Sequence, residues 1–167
     1  MSVPADVATA LALEFALPSP GLSAVLAARL LLAAALGAVL GFERERKHRS
    51  AGLKTHILVA MGSALFVLAP LYAGVSMADN SRVIQGVVSG IGLLGAGAIL
   101  KMQKGARVEG LTTAASIWLT SAMGVAAGLG HAWVASIAAA VALVVVSVVP
   151  RLMPNDARRA SWTADTQ

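Results

Sequence analysis

Long apolar stretches alternate with short polar ones along this chain. Leu22–Phe42, Thr55–Tyr72, Val83–Leu100, Leu111–Leu129 and Ala132–Val149 each run for 18 to 21 residues with few charges. Folded as an α-helix at about 1.5 Å per residue, such a run is about as long as a bilayer's hydrocarbon core of about 30 Å is thick. The pattern therefore predicts an all-α integral membrane protein with five transmembrane helices. Residues 1–21 precede them as an N-terminal segment, residues 22–149 form the five-helix domain, and residues 150–167 are a short tail. In the first segment Val7–Leu17 reads as a short amphipathic helix on the outer surface, ended by Pro18 and Pro20.

Composition agrees with the pattern. The chain is 57% hydrophobic and only 13% charged, with a mean hydropathy of +0.78, far too little charge to cover a soluble domain. The charges that exist fall on one side. Arg44, Arg46, Lys47, Arg49 and Lys54 lie between the first two spans, Lys101, Lys104 and Arg107 between the third and fourth, and Arg151, Arg158 and Arg159 after the fifth. Arg82 alone lies on the other side, and Arg29 sits inside the first span. Basic loops stay in the cytoplasm, which predicts an outer (periplasmic) N-terminus and a cytoplasmic C-terminus, as an odd number of spans requires. The net charge of +5 would suggest nucleic acid in a soluble protein. Confined to loops beside membrane spans, it sets topology and touches anionic lipid instead, so no nucleic-acid partner is expected. There is no cysteine, which excludes disulfides, thiolate chemistry and cysteine-based metal sites. The N-terminus lacks a basic region and carries Asp6 and Glu14, so it does not read as a cleavable signal.

An internal echo organises the first four spans. A shift of 58 residues lays Leu36-Gly37-Ala38 on Leu94-Gly95-Ala96 and "GLKT" (Gly52–Thr55) on "GLTT" (Gly110–Thr113). Ser23 and Val25 fall on Ser81 and Val83, while Arg46 and Arg49 fall on Lys104 and Arg107. The spans read as a parallel repeat of two helix pairs, with a fifth helix added.

The third span is rich in small residues: Gly86, Ser89, Gly90, Gly92, Gly95, Ala96 and Gly97. Such residues let helices approach closely in a bilayer, so this helix is expected to be central and to pack on several sides. The sharper alternative is that Gly90–Gly97 unwinds and offers carbonyls to an ion. Because small residues on the third and fourth spans exceed what one neighbour needs, a homodimer or higher oligomer is expected. At the cytoplasmic face Thr55 and Thr112 or Thr113 read as helix caps. Together with Lys54, Arg49 and Lys104 these two helix starts could instead hold a phosphate or lipid head group. Arg29, inside the membrane, should find acceptors, and the nearest are Gln85 and Asp79; with Arg82 these form an expected polar cluster between the first and third spans. Its bland outcome is a structural ion-pair cluster, and its functional one a site where an external cation competes for Asp79. Glu43 and Glu45 should pair with neighbouring Arg and Lys. His48, His56 and His131 are scattered, without partners at metal-ligand spacing. Asp79 with Asn80 and Ser81 is too little for a tight Mg²⁺ site. With no nucleophile–base pair, carboxylate dyad or phosphate loop in the sequence, neither an enzyme nor a cofactor is expected.

Three ordered blocks carry a resemblance: "LLLAAALGAVLGFERERKHRSAGLKTHILVAMGSALF" (Leu30–Phe66), "SRVIQGVVSGIGLLGAGAIL" (Ser81–Leu100) and "VEGLTTAASIWLTSAMGVAAGLG" (Val108–Gly130). Over nearly all of Arg29 to Val149 the chain resembles the MgtC/SapB family of bacterial inner-membrane proteins. The resemblance implies a five-span domain in the cytoplasmic membrane. The family's recurring positions map here to Arg29, Gly41, Glu43, Arg44, Gly52, Thr55, His56, Arg82, Gln85, Ser89, Gly90, Gly92, Gly95, Gly97, Gly110, Thr112, Thr113 and Gly124. Longer members carry a soluble cytoplasmic domain, and a function housed there is not expected of a chain ending about 18 residues past its last span. The family is tied to growth at low Mg²⁺, stress and survival inside host phagocytes. The resemblance implies a regulatory module that contacts other inner-membrane proteins, among them the F-type ATP synthase. The alternative is a small transporter or channel for Mg²⁺ or another ion. Arg29 and the glycine-rich third span are all the sequence offers for transport, without a row of intramembrane carboxylates, which favours the first.

Overall fold

The computed structural model describes residues 3–16, 18–100 and 110–152. Leu17, the loop charges Lys101, Lys104 and Arg107, and Arg158 and Arg159 of the tail lie outside them. Six α-helices follow in order: α1 (Val3–Glu14), α2 (Pro20–Arg46), α3 (Leu53–Tyr72), α4 (Met77–Leu100), α5 (Leu111–Gly128) and α6 (Ala132–Leu152). Helices α2 to α6 are each long and apolar enough to cross a membrane. The protein is thus an all-α, multi-pass integral membrane protein.

Local chemistry sets the helix ends. Pro20 occupies the first turn of α2, where its missing N–H is no loss, and the Ser19 hydroxyl accepts from the Leu22 N–H at 3.4 Å. Helix α2 runs beyond the apolar stretch to Arg46, so Glu43, Arg44 and Glu45 stand on its last turn. Ser76 and Asp79 cap α4 reciprocally: the Asp79 N–H donates to Ser76 Oγ at 3.1 Å, and Ser76 Oγ donates to Asp79 Oδ2 at 2.7 Å. Helix α1 starts earlier than the amphipathic stretch Val7–Leu17, ends at Glu14 and, among the described residues, packs on no other helix.

Helix α5 is the hub, packed against α2, α3, α4 and α6. Half of its membrane stretch is buried inside the protein, against 6% for α4. The expectation that the glycine-rich third span is the central one is therefore corrected. Close backbone approach occurs elsewhere. A Cβ on Gly37 would lie 2.5 Å from the His56 carbonyl oxygen, and one on Gly41 2.9 Å from Leu53 Cα. Likewise Gly124 lies directly against the Ala60 carbonyl, and a Cβ on Gly128 would come within 2.7 Å of the Ala64 oxygen. These four glycines seat α2 and α5 on α3. On α4, Gly86, Gly90, Gly92 and Gly97 have open space where a Cβ would be, and Gly95 reaches only an ordinary 3.6 Å contact with Ala114 Cβ. Glycine count tracked the wrong helix because small residues permit a close neighbour without supplying one.

Several contacts fall at the 58-residue offset. Ser63 Oγ and Ser121 Oγ, themselves 58 apart, share a hydrogen bond of 2.7 Å between α3 and α5. Gly37 packs on His56 as Gly95 packs on Ala114, and Gly41 meets Gly52 as Ile99 meets Gly110. Helix α6 lies against α2 and α5.

Candidate functional site

The largest group of buried polar side chains, Arg44, His56, Thr113, Ser116 and Thr120, lies at the end of the bundle where α2 finishes and α3 and α5 begin. Arg44 is 3% exposed. Its Nη2 donates to Thr113 Oγ1 at 3.2 Å, and its Nε is buried without a partner among the described residues. His56, fully buried, bridges α3 to α5: Nδ1 is 2.8 Å from the Gly52 carbonyl and Nε2 is 3.3 Å from Ser116 Oγ. A carbonyl only accepts, so Nδ1 carries the ring proton and Nε2 faces the hydroxyl as the acceptor in the neutral ring. Ser116 Oγ also lies 2.8 Å from the Thr113 carbonyl, so its single proton serves either that carbonyl or His56 Nε2, and Thr120 Oγ1 donates to the Ser116 carbonyl at 2.8 Å. Arg44, Thr113, Ser116 and His56 thus form one buried network across α2, α5 and α3.

Glu43 and Glu45, which flank Arg44 on α2, are each engaged with other groups. Glu43 Oε1 pairs with Lys47 Nζ at 2.7 Å and accepts from Ser147 Oγ at 2.9 Å, while Lys47 Nζ also donates to the Val146 carbonyl. This ties the end of α2 to α6. Glu45 Oε2 instead accepts the Leu53 N–H at 2.6 Å and caps α3. A carboxylate thereby occupies the positive end of α3, favourable to the helix dipole. Thr55 is part-buried, Lys54 and Thr112 are exposed. The expected threonine caps are corrected: the N-caps are Gly52 and Gly110, neither with a side-chain cap bond, and Thr113 serves Arg44 instead.

The polar cluster expected around Arg29 is not brought together. Helices α2 and α4 do not touch. Arg29 Nη1 donates to the Gly128 carbonyl at 3.0 Å, capping the C-terminus of α5 with a positive charge. Its guanidinium lies against Gly130, a residue at φ +86° whose Cβ would meet Nη2 at 2.7 Å. Asp79 is spent on its own helix start, and Arg82 and Gln85 are exposed on α4. Depth in the membrane ranked side-chain acceptors and passed over the free carbonyls of a helix end, which every helix supplies. Among the described residues no group of three His, Asp or Glu could hold a metal ion. Sequence reasoning set Asn80 beside Asp79 as an outward group, but it is fully buried, with Nδ2 on the Val67 carbonyl at 3.2 Å and Oδ1 unpartnered among the described residues. Sequence reasoning missed Ser63, Ser116, Ser121 and Ser147; the 58-residue offset was the one signal that linked a pair of them.

A family model of the MgtC family matches residues 30–154 of the chain. Protein SrpB of Synechococcus elongatus is 44% identical over 145 residues, covering 80% of each chain. Protein MgtC of Brucella abortus is 48% identical over 107 residues, 61% of this chain and 43% of its own length. YhiD of Escherichia coli K12, whose name assigns it magnesium transport only provisionally, is 42% identical over 109 residues, 61% of this chain and 50% of its own. The chain thus spans about half the length of the last two relatives. No solved structure matches it.

Proposed function

We propose, since the chain belongs to the MgtC family, that this inner-membrane protein is a regulatory module that acts on other membrane proteins in adaptation to low Mg²⁺ and stress, rather than the conduit for the ion. The buried Arg44 network is the observation that carries this reading. The polar groups buried around Arg44 are a guanidinium, an imidazole and hydroxyls already bonded to one another or to backbone carbonyls. A divalent cation crossing there would meet a fixed positive charge in a medium of low dielectric. The nearby carboxylates Glu43 and Glu45 are committed to Lys47, Ser147 and the start of α3. The basic end faces the cytoplasm in this reading, and no catalytic step or cofactor is assigned. Partners are other inner-membrane proteins, with the F-type ATP synthase the first to test.

The test sets flux beside capture. Purified chain in proteoliposomes should move no more Mg²⁺ than protein-free vesicles, followed with an entrapped indicator. Affinity capture from the native membrane should retain defined membrane proteins, ATP synthase subunits among them. Saturable Mg²⁺ flux that disappears on Arg44→Met would overturn the proposal in favour of transport.

A further inference from the structure

Helix α4 has two faces of opposite character. Asn80, Ile84, Val87, Ile91, Gly95 and Ala98 are buried or part-buried and turn toward the bundle. Arg82, Gln85, Ser89, Gly92 and Ala96 are all exposed on the other side. Positions 82, 89 and 96, and 85 and 92, recur at seven residues, so the five form one straight seam. Nothing lies within 4 Å of a Cβ placed on Gly92, and the side chains of Gln85 and Ser89 have no hydrogen-bond partner among the described residues. The exposed face of α6 shows what acyl chains suit: Val134, Ile137, Val141, Val144 and Val145. An amide, a hydroxyl and two small residues do not belong to that class.

We propose that this seam docks against the same seam of a second copy, across a two-fold axis along the membrane normal. Hydrocarbon offers Gln85 and Ser89 no hydrogen bond, and leaving such groups unpaired there is unfavourable. Each is both donor and acceptor, so its own copy at the same depth can satisfy it. A two-fold axis along the normal pairs equal depths, and all copies share one orientation, so the two α4 helices run parallel. A seven-residue repeat is the period of such a parallel, left-handed pair. Ser89, Gly92 and Ala96 let the two backbones come close. Arg82 stands at the outer end of the seam, before the apolar stretch that begins at Val83, where the two copies' guanidiniums extend outward into water. The sequence pointed to Gly90 for assembly, but Gly86 and Gly90 instead line a groove of about 690 Å³ between α3 and α4. The pairing stands whether or not the protein conducts Mg²⁺.

The absence of native cysteine makes the test clean. Single substitutions Gln85→Cys, Ser89→Cys, Gly92→Cys and Ala96→Cys, oxidised in native membranes, should give a disulfide-linked dimer. Val88→Cys and Leu94→Cys, equally exposed but off the seam, should give several-fold less. In parallel, Gly92→Leu should shift the monomer–dimer equilibrium in lipid discs about tenfold toward monomer, with an unchanged unfolding midpoint. No disulfide at any of the four seam positions, equal yields at 88 and 94, or an unshifted equilibrium in Gly92→Leu would each overturn the proposal.

Discussion

Arg44 and Thr113 show how a buried charge can be tolerated without a salt bridge of its own among the described residues. The guanidinium has one hydroxyl partner at 3.2 Å and one orphaned N–H. Removing the charge and removing its partner should therefore have unequal effects. Arg44→Met keeps the aliphatic stem and takes away a buried charge, and replacing buried ions by apolar groups of similar shape is often near neutral. Thr113→Val keeps the shape and strands the charge, which should destabilise by about 1.5–3 kcal/mol. Thermal unfolding of the two variants in lipid discs checks the order; equal losses would mean that Thr113 contributes no bond to Arg44. Arg29 is held differently, by a helix-end carbonyl at 3.0 Å rather than a side chain.

Between elements, the deciding quantity is how near two backbones come. Helix α5 meets α3 at Gly124 and Gly128 with no room for a methyl group, whereas the glycines of α4 other than Gly95 have nothing within 4 Å. Gly124→Ala should force α5 off α3 and cost about 1–3 kcal/mol, the usual range for an overpacked core. Gly90→Ala should leave stability within about 0.5 kcal/mol, as a surface change does. A chemical-denaturation series on both variants measures this directly, and a Gly90 variant as damaged as the Gly124 one would refute the packing hierarchy. The same hierarchy explains why α4 carries polar and small residues outward without harm to the fold: its buried face is a separate stripe.

For the whole molecule, charge asymmetry governs orientation. Eleven Lys and Arg lie on one side of the spans and Arg82 alone on the other. We expect a reporter fused after Gln167 to be active in the cytoplasm, and one fused before Met1 only outside it. The reverse pattern would invert the bundle. In the expected orientation the Arg44 network and the Glu43–Lys47–Ser147 tie face the cytoplasm, and the Arg29 cap and the Asp79 end of α4 face outward.

The sequence by itself determined the five spans, because hydrocarbon thickness and the demand for internal backbone hydrogen bonds leave an apolar run of 18 or more residues one stable form. It also made the family legible, through ordered blocks around Glu43, Gly52, Gly90 and Gly110. Local pairings within a few residues were readable as well, such as Glu43 with Lys47. What only the tertiary structure decided was which faces meet. Spacing along one helix shows that Gly86 and Gly90 share a side but not whether a neighbour stands there, and the neighbour stands instead at Gly37, Gly41, Gly124 and Gly128. Arg29 went to a carbonyl 99 residues away, and Arg44 to a hydroxyl 69 away, because helix order in the bundle places those groups beside them. Hydrophobic burial selects a membrane span one helix at a time; helix packing inside lipid depends on pairs of surfaces, and no single stretch of sequence holds both.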